Sequence, residues 1–127
     1  MSLKKIIASY WKSIIIIVVI IYLSFAPPST FKEVPTFEIP NLDKIIHFCV
    51  YSVLSFFLNF DFSKSTSSKK QLFIWICFVF PIILGGLIEI AQQQFFAPRT
   101  AEWIDFISNS VGVFTGWRIS KFLKISN

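Results

Sequence analysis

Apolar residues run through this chain in four long blocks, and the polar residues beside them keep to a pattern of their own. The blocks cover about Tyr10–Ala26, Ile45–Phe60, Leu72–Gln93 and Ala101–Leu123. A helix crossing a hydrocarbon core about 30 Å thick needs roughly 17–25 residues. The first block meets this easily, because no charge lies between Ile14 and Phe25. The second offers only the 16 residues from Ile45 to Phe60, so it spans comfortably if its first turn, Leu42–Lys44, sits in the interface. The pattern predicts an all-α integral membrane protein: one domain over residues 1–127, folded as a four-transmembrane-helix bundle.

Punctuation between the blocks refines this. Pro27-Pro28 ends the first helix, and the link to Pro40 carries Phe31, Pro35, Phe37 and Ile39. It is too apolar for a loose tether and is expected to lie along the outer surface in extended backbone. Asn41 or Asp43 can cap the second helix. The Ser- and Lys-rich stretch Asp61–Lys70 reads as a solvated turn. Pro81 predicts a kink in the third helix, and Gly85-Gly86 lets another helix come close. Thr100 is the expected N-cap of the fourth helix, with Glu102 in its first turn. Ser108, Gly112, Gly116 and Ser120 then repeat every four residues. Such a stripe of small residues packs helices closely, within the bundle or in an oligomer through the Gly112/Gly116 face.

Composition agrees with a membrane protein. The chain is 54% hydrophobic and 15% charged, too few polar groups to cover a soluble domain of this size. The first block is expected to be a retained helix and not a cleaved signal peptide, since Pro27-Pro28 makes a poor cleavage junction and three more spans follow. Cys49 and Cys77 fall inside spans at different depths, which suits apolar packing and not a disulfide.

Charge sets the topology. Nine basic residues (Lys4, Lys5, Lys12, Lys64, Lys69, Lys70, Arg118, Lys121 and Lys124) fall on one face of a four-span bundle, against Lys32, Lys44 and Arg99 on the other. Positive residues stay in the cytoplasm, so both termini are expected there. The net charge of +5 then anchors the protein to anionic lipids; membrane lipids are the expected partners, and no nucleic acid is.

The remaining polar residues gather at the opposite, extracytoplasmic end. Ionisable groups at membrane depth are costly and point to function. Asp43, His47 and Tyr51 share one helix face at four-residue spacing, each about 6 Å deeper than the last, with Lys44 at its border. Glu89 and Gln92 close the third span, Arg99 lies in the next link, and Asp105, Asn109 and Gly112 share a face of the fourth. Each has a plainer reading too. Asp43 can cap, Lys44 can snorkel, His47 can be a structural hydrogen-bonding group, Tyr51 can pack, and Glu89 can pair with Arg99. As a site, His47 with Asp43, Glu89 or Asp105 supplies acid–base chemistry. Lys44 and Arg99 would hold an anionic group, and Tyr51, Gln92 and Asn109 would line the ligand. Asp43, His47, Glu89 and Asp105 could instead bind a divalent metal, but their spacing matches no recognised metal pattern, so no metal is assigned and the cofactor stays open. There is no P-loop, dinucleotide-binding glycine pattern, zinc finger or nucleophile elbow.

The ordered set Asp43-Lys44-x-x-His47-x-x-x-Tyr51, Glu89-x-x-Gln92, Arg99 and Asp105-x-x-x-Asn109-x-x-Gly112 resembles the VanZ-like family of small bacterial membrane proteins. The resemblance covers about Asp43 to Gly116, more than half of the chain. It implies a multi-pass protein of the bacterial inner membrane, in a family whose namesake is linked to resistance to the glycopeptide teicoplanin. The leading expectation is an envelope protein that binds or modifies a lipid-linked or cell-wall-related molecule. The alternative is an accessory subunit whose polar cluster only locks the bundle together.

Overall fold

The computed structural model of the chain describes residues 2–27, 40–65, 69–95 and 102–124. These residues are almost wholly helical and contain no strand. Helix α1 spans Leu3–Phe25 and α2 Leu42–Lys64. Helix α3 runs Lys70–Phe95, and α4 runs Trp103–Phe122. Three of them, α1, α2 and α3, are long and apolar enough to cross a membrane.

The shortness of the second apolar block is resolved by the helix outrunning it. α2 has 23 residues, about 34 Å at 1.5 Å per residue, and takes in Leu42–Lys44 at one end and Asp61–Lys64 at the other. Asp61 therefore does not belong to a solvated turn. It is 1% exposed. Asn41 stands at the N-cap position in the left-handed region, φ 60°, without a side-chain cap bond; its carbonyl accepts from the Lys44 and Ile45 N–H groups instead. Glu102 occupies the N-cap position of α4 and not its first turn.

Pro81 changes α3 in a way the sequence only hints at. The turn ahead of it, Trp75–Val79, is π-helical, and the Phe80 N–H reaches back to the Trp75 carbonyl. One widened turn makes room for a ring that would otherwise press on the carbonyl four residues earlier. Pro81 itself is buried.

The helices alternate in direction. Ser13 of α1 meets Asp61 of α2, Phe62 of α2 meets Phe73 of α3, and Phe78 of α3 meets Trp117 of α4. α2 touches all three other helices and packs most extensively on α4, to which it runs parallel. That seam is close because it lacks side chains. A Cβ on Gly112 would come 2.5 Å from the Phe48 carbonyl oxygen, and one on Gly116 would meet the Ser52 carbonyl and lie 2.9 Å from Ser55 Cβ. The Gly112/Gly116 face is thus taken up by the chain's own packing against α2.

Apolar residues from all four helices fill the space between them. Ile20, Tyr51, Leu54, Leu58, Phe62, Cys77, Ile88 and Val113 form the buried cluster. Large apolar residues also cover the outside: Ile15, Val18 and Tyr22 on α1, Ile83, Leu87 and Ile90 on α3, and Ile104, Ile107, Val111 and Phe114 on α4 are exposed. A helix set with apolar groups outside and Ser, Asn, Asp and Glu inside is built for lipid contact.

Candidate functional site

Because α2 and α4 run parallel and α3 runs against them, the starts of α2 and α4 meet the end of α3. His47 sits where the three converge. Its Nδ1 lies 2.9 Å from Asn109 Oδ1 and 3.8 Å from Glu89 Oε1. Asn109 is 1% exposed, so α4 fixes the ring from the bundle side. Tyr51, one turn deeper, is buried against Gly85. A Cβ on Gly85 would lie 2.9 Å from Asn109 Nδ2 and 3.2 Å from the Tyr51 hydroxyl oxygen, so the bare backbone of α3 leaves room for both.

Lys44 makes a second cluster on the same end. Its Nζ is 2.8 Å from Asp43 Oδ2, 2.8 Å from Glu102 Oε2 and 3.4 Å from Asp105 Oδ1. The ammonium expected to hold an anionic ligand is thus already enclosed by the chain's own carboxylates. Asp43 turns to Lys44 and out to solvent instead of towards His47. Glu102, at the N-cap position of α4, joins that helix to the start of α2. Its spacing from Asp105 gave no signal of this; only the fold brings it to Lys44.

Asp105 stands between the clusters. It is within ion-pair range of Lys44, and its carboxylate, Glu89 and His47 offer one donor atom each within 4.8 Å of one another. Glu89 Oε1 is buried without a hydrogen-bond partner, while Asp105 Oδ1 has the Lys44 ammonium at 3.4 Å. A buried acceptor left unmatched costs about 1–3 kcal/mol. His47, Glu89 and Asp105 can therefore exchange a proton or hold a cation.

One expected member stands elsewhere. Gln92 donates Nε2 to the Ser24 carbonyl at 2.8 Å, tying α3 to the end of α1 and not lining the cluster. Arg99 lies outside the described residues, as do Thr100 and most of the link before Pro40.

A buried acid at the other end of the bundle was not foreseen as a structural element. Asp61 Oδ2 accepts from the Ser13 hydroxyl at 2.7 Å and the Ser13 N–H at 3.1 Å, and Lys12 Nζ stands 3.8 Å from Oδ1. The reason is a break in α1. Tyr10 leaves helical geometry, φ −110° and ψ 19°, so the helix effectively restarts after it and the Ser13 N–H is one of the freed donors of a first turn. A carboxylate at that position caps the turn and meets the positive end of the helix dipole. Lys12 in the apolar run was the visible clue to a partner.

No family model matches the chain, and no solved structure matches it. An uncharacterized protein of the yeast Schizosaccharomyces pombe is 31% identical to it over 109 residues, which cover 86% of this chain and 58% of that protein. The chain thus spans less than two thirds of the length of this relative.

Proposed function

We propose that this chain is a four-span membrane protein of VanZ-like type whose His47–Glu89–Asp105 cluster, at one membrane face, binds the polar head of a membrane-resident amphiphile such as a lipid-linked precursor. The observation that carries the reading is Glu89: its side chain is 7% exposed, and its Oε1 is unmatched and faces an imidazole. An acid kept in that state at a helix end is costly for structure alone. His47 beside it supplies a proton donor or acceptor for a bound head group.

The fourth span rests on α4's inside-out pattern. Its mean hydropathy is lowered by Asp105, Asn109 and small residues that face α2, while Ile104, Ile107, Val111 and Phe114 face outward. With four alternating spans, nine basic residues against three set both termini in the cytoplasm and the cluster on the far side. The relative is fungal, so the proposal names a membrane and not a bacterial envelope, and the namesake's glycopeptide resistance stays with the namesake.

The test is lipid retention. Protein extracted in mild detergent is compared with Glu89→Gln and His47→Ala by mass spectrometry of the co-purified lipids. Wild type should retain an amphiphile that both variants lose while melting close to wild type. An identical lipid complement in all three proteins rejects the site. The accessory-subunit reading has its own support in Lys44, matched on three sides by carboxylates. It expects loss of activity only in proportion to loss of melting temperature.

A further inference from the structure

The described residues at this end hold four carboxylates, from Asp43, Glu89, Glu102 and Asp105, against one lysine and one imidazole. The acids divide into two sets. Asp43, Glu102 and Asp105 have donor atoms within 4.8 Å of one another, and the Lys44 ammonium already serves them. His47, Glu89 and Asp105 form the second set, with the same 4.8 Å limit; the Lys44 ammonium reaches only Asp105 of these, at 3.4 Å. Glu89 Oε1, buried and without a hydrogen-bond partner, points into that second set, 3.8 Å from the imidazole.

From this we infer that His47, Glu89 and Asp105 bind a divalent metal ion of the zinc or manganese kind. One imidazole and two carboxylates suit such ions, and three protein donors leave positions open for water or substrate. Donors placed tetrahedrally at about 2 Å from an ion lie roughly 3.3 Å apart, so loading draws these side chains inward by up to about 1.5 Å. That is a rotamer adjustment for Glu89 and Asp105 and needs no movement of the helices. Asn109 Oδ1, 2.9 Å from His47 Nδ1, takes that ring nitrogen, so the ion is held through the other, Nε2, and Asn109 is a positioning residue. It holds the ring as amide and carbonyl groups hold metal-bound imidazoles. Lys44 lies 3.4 Å from Asp105 Oδ1, but its two shorter contacts are to Asp43 and Glu102, so it keeps its place when Asp105 turns to the ion. The open positions take an anionic oxygen, which gives a phosphate-bearing head group the cationic partner that Lys44 does not supply. To that extent the inference rests on the proposed head-group site, while the ion itself can be tested alone.

Full-length protein in detergent is stripped with a chelator and titrated with Zn2+ and, separately, Mn2+, with bound metal measured by mass spectrometry after gel filtration. The expected result is one equivalent of ion per chain, and binding at least tenfold weaker in both His47→Ala and Glu89→Gln. Glu89→Gln keeps the shape of the side chain, and each variant's melting curve is recorded beside its titration. Visible absorption of Co2+ in the same site gives a second readout, with bands of low coordination number in wild type and none in Glu89→Gln. Substoichiometric uptake by folded wild type, or uptake unchanged in both folded variants, overturns the inference. Lipid retention that depends on Glu89 in chelator-treated protein also overturns it, while leaving the head-group proposal standing.

Discussion

Replacing Gly116 by Ala tests the seam that sets the whole arrangement. The added Cβ would meet the Ser52 carbonyl and lie 2.9 Å from Ser55 Cβ and 3.0 Å from the Phe56 nitrogen. Carbon pairs prefer about 3.5–4.0 Å, so α2 and α4 must part by roughly 0.5–1 Å. The groups in the way are mostly backbone and cannot rotate aside. Overpacking of this kind costs about 1–3 kcal/mol. An obstruction made mostly of backbone puts this site at the upper end, about 2–3 kcal/mol; Gly→Ala in a helix regains up to about 1 kcal/mol of propensity, so the net loss is about 1–2 kcal/mol. For a chain of this length 1 kcal/mol moves the melting midpoint by roughly 3–5 °C, which puts the expected drop at about 3–10 °C. Gly86→Ala is the matched control. There the Cβ meets only the Phe106 ring edge, at 3.3 Å, and a ring can swing. Melting in detergent, followed by near-ultraviolet circular dichroism, should place Gly116→Ala well below wild type and Gly86→Ala within a few degrees of it. Equal melting of the two variants, or a Gly116→Ala protein as stable as wild type, refutes backbone-to-backbone packing of α2 on α4.

Other outcomes follow from single contacts. Asp61→Asn keeps the shape but loses charge-assisted bonds from Ser13 and the pairing with Lys12; a loss of about 1.5–3 kcal/mol is expected, and an unchanged melting curve would mean that the charge plays no part in capping the α1 break. Lys44→Met leaves Asp43, Glu102 and Asp105 repelling one another, so the variant should melt lower and recover in part as salt is raised; stability indifferent to both changes removes the ion cluster. Cys49 is exposed and Cys77 fully buried, so a membrane-permeable maleimide should modify Cys49 in the folded protein and Cys77 only after denaturation. The reverse order would mean that α2 or α3 is rotated from the orientation described above.

Helix positions were legible because lipid makes the code simple: long apolar runs must be helical, and charges mark their ends. The convergence of His47, Glu89, Asn109 and Asp105 could be anticipated from their placement at corresponding ends of the spans. Partners could not. Nothing in the spacing of Lys44 and Glu102, 58 residues apart, says that they touch; that depends on the parallel setting of α2 and α4, which the glycine stripe permits but does not orient. Gln92 reads like a site residue because it sits one turn beyond Glu89, yet the rotation of α3 gives it to Ser24. The donor set proposed for a metal has no spacing signature for the same reason. His47, Glu89 and Asp105 come from three helices, and sequence patterns for metals register donors that are near in the chain.

The placing of polar groups in this bundle follows from the weakness of its other forces. Lipid tails are as apolar as leucine, so burying Leu54 or Val113 against another helix gains little over leaving it in lipid. Association must come from close backbone approach and from polar ties. Both lie on the same seam: Gly112 and Gly116 bring α4 against α2, and His47–Asn109 at one end and the Lys44 cluster beyond it lock the register. A ligand site can be built most readily where polar side chains replace the glycines along that seam. Above Gly112, α4 carries Asn109 and Asp105 in place of glycine, and α3 brings Glu89 to within reach of Asp105 and His47. The small residues and the acid–imidazole cluster are then two parts of one device. Widening the seam at Gly116 should disturb His47 and Glu89 through the rigid α2–α4 pair, even though no atom of Gly116 reaches them. Metal or lipid binding in Gly116→Ala should weaken together with its melting temperature, whereas in Glu89→Gln binding should fail alone.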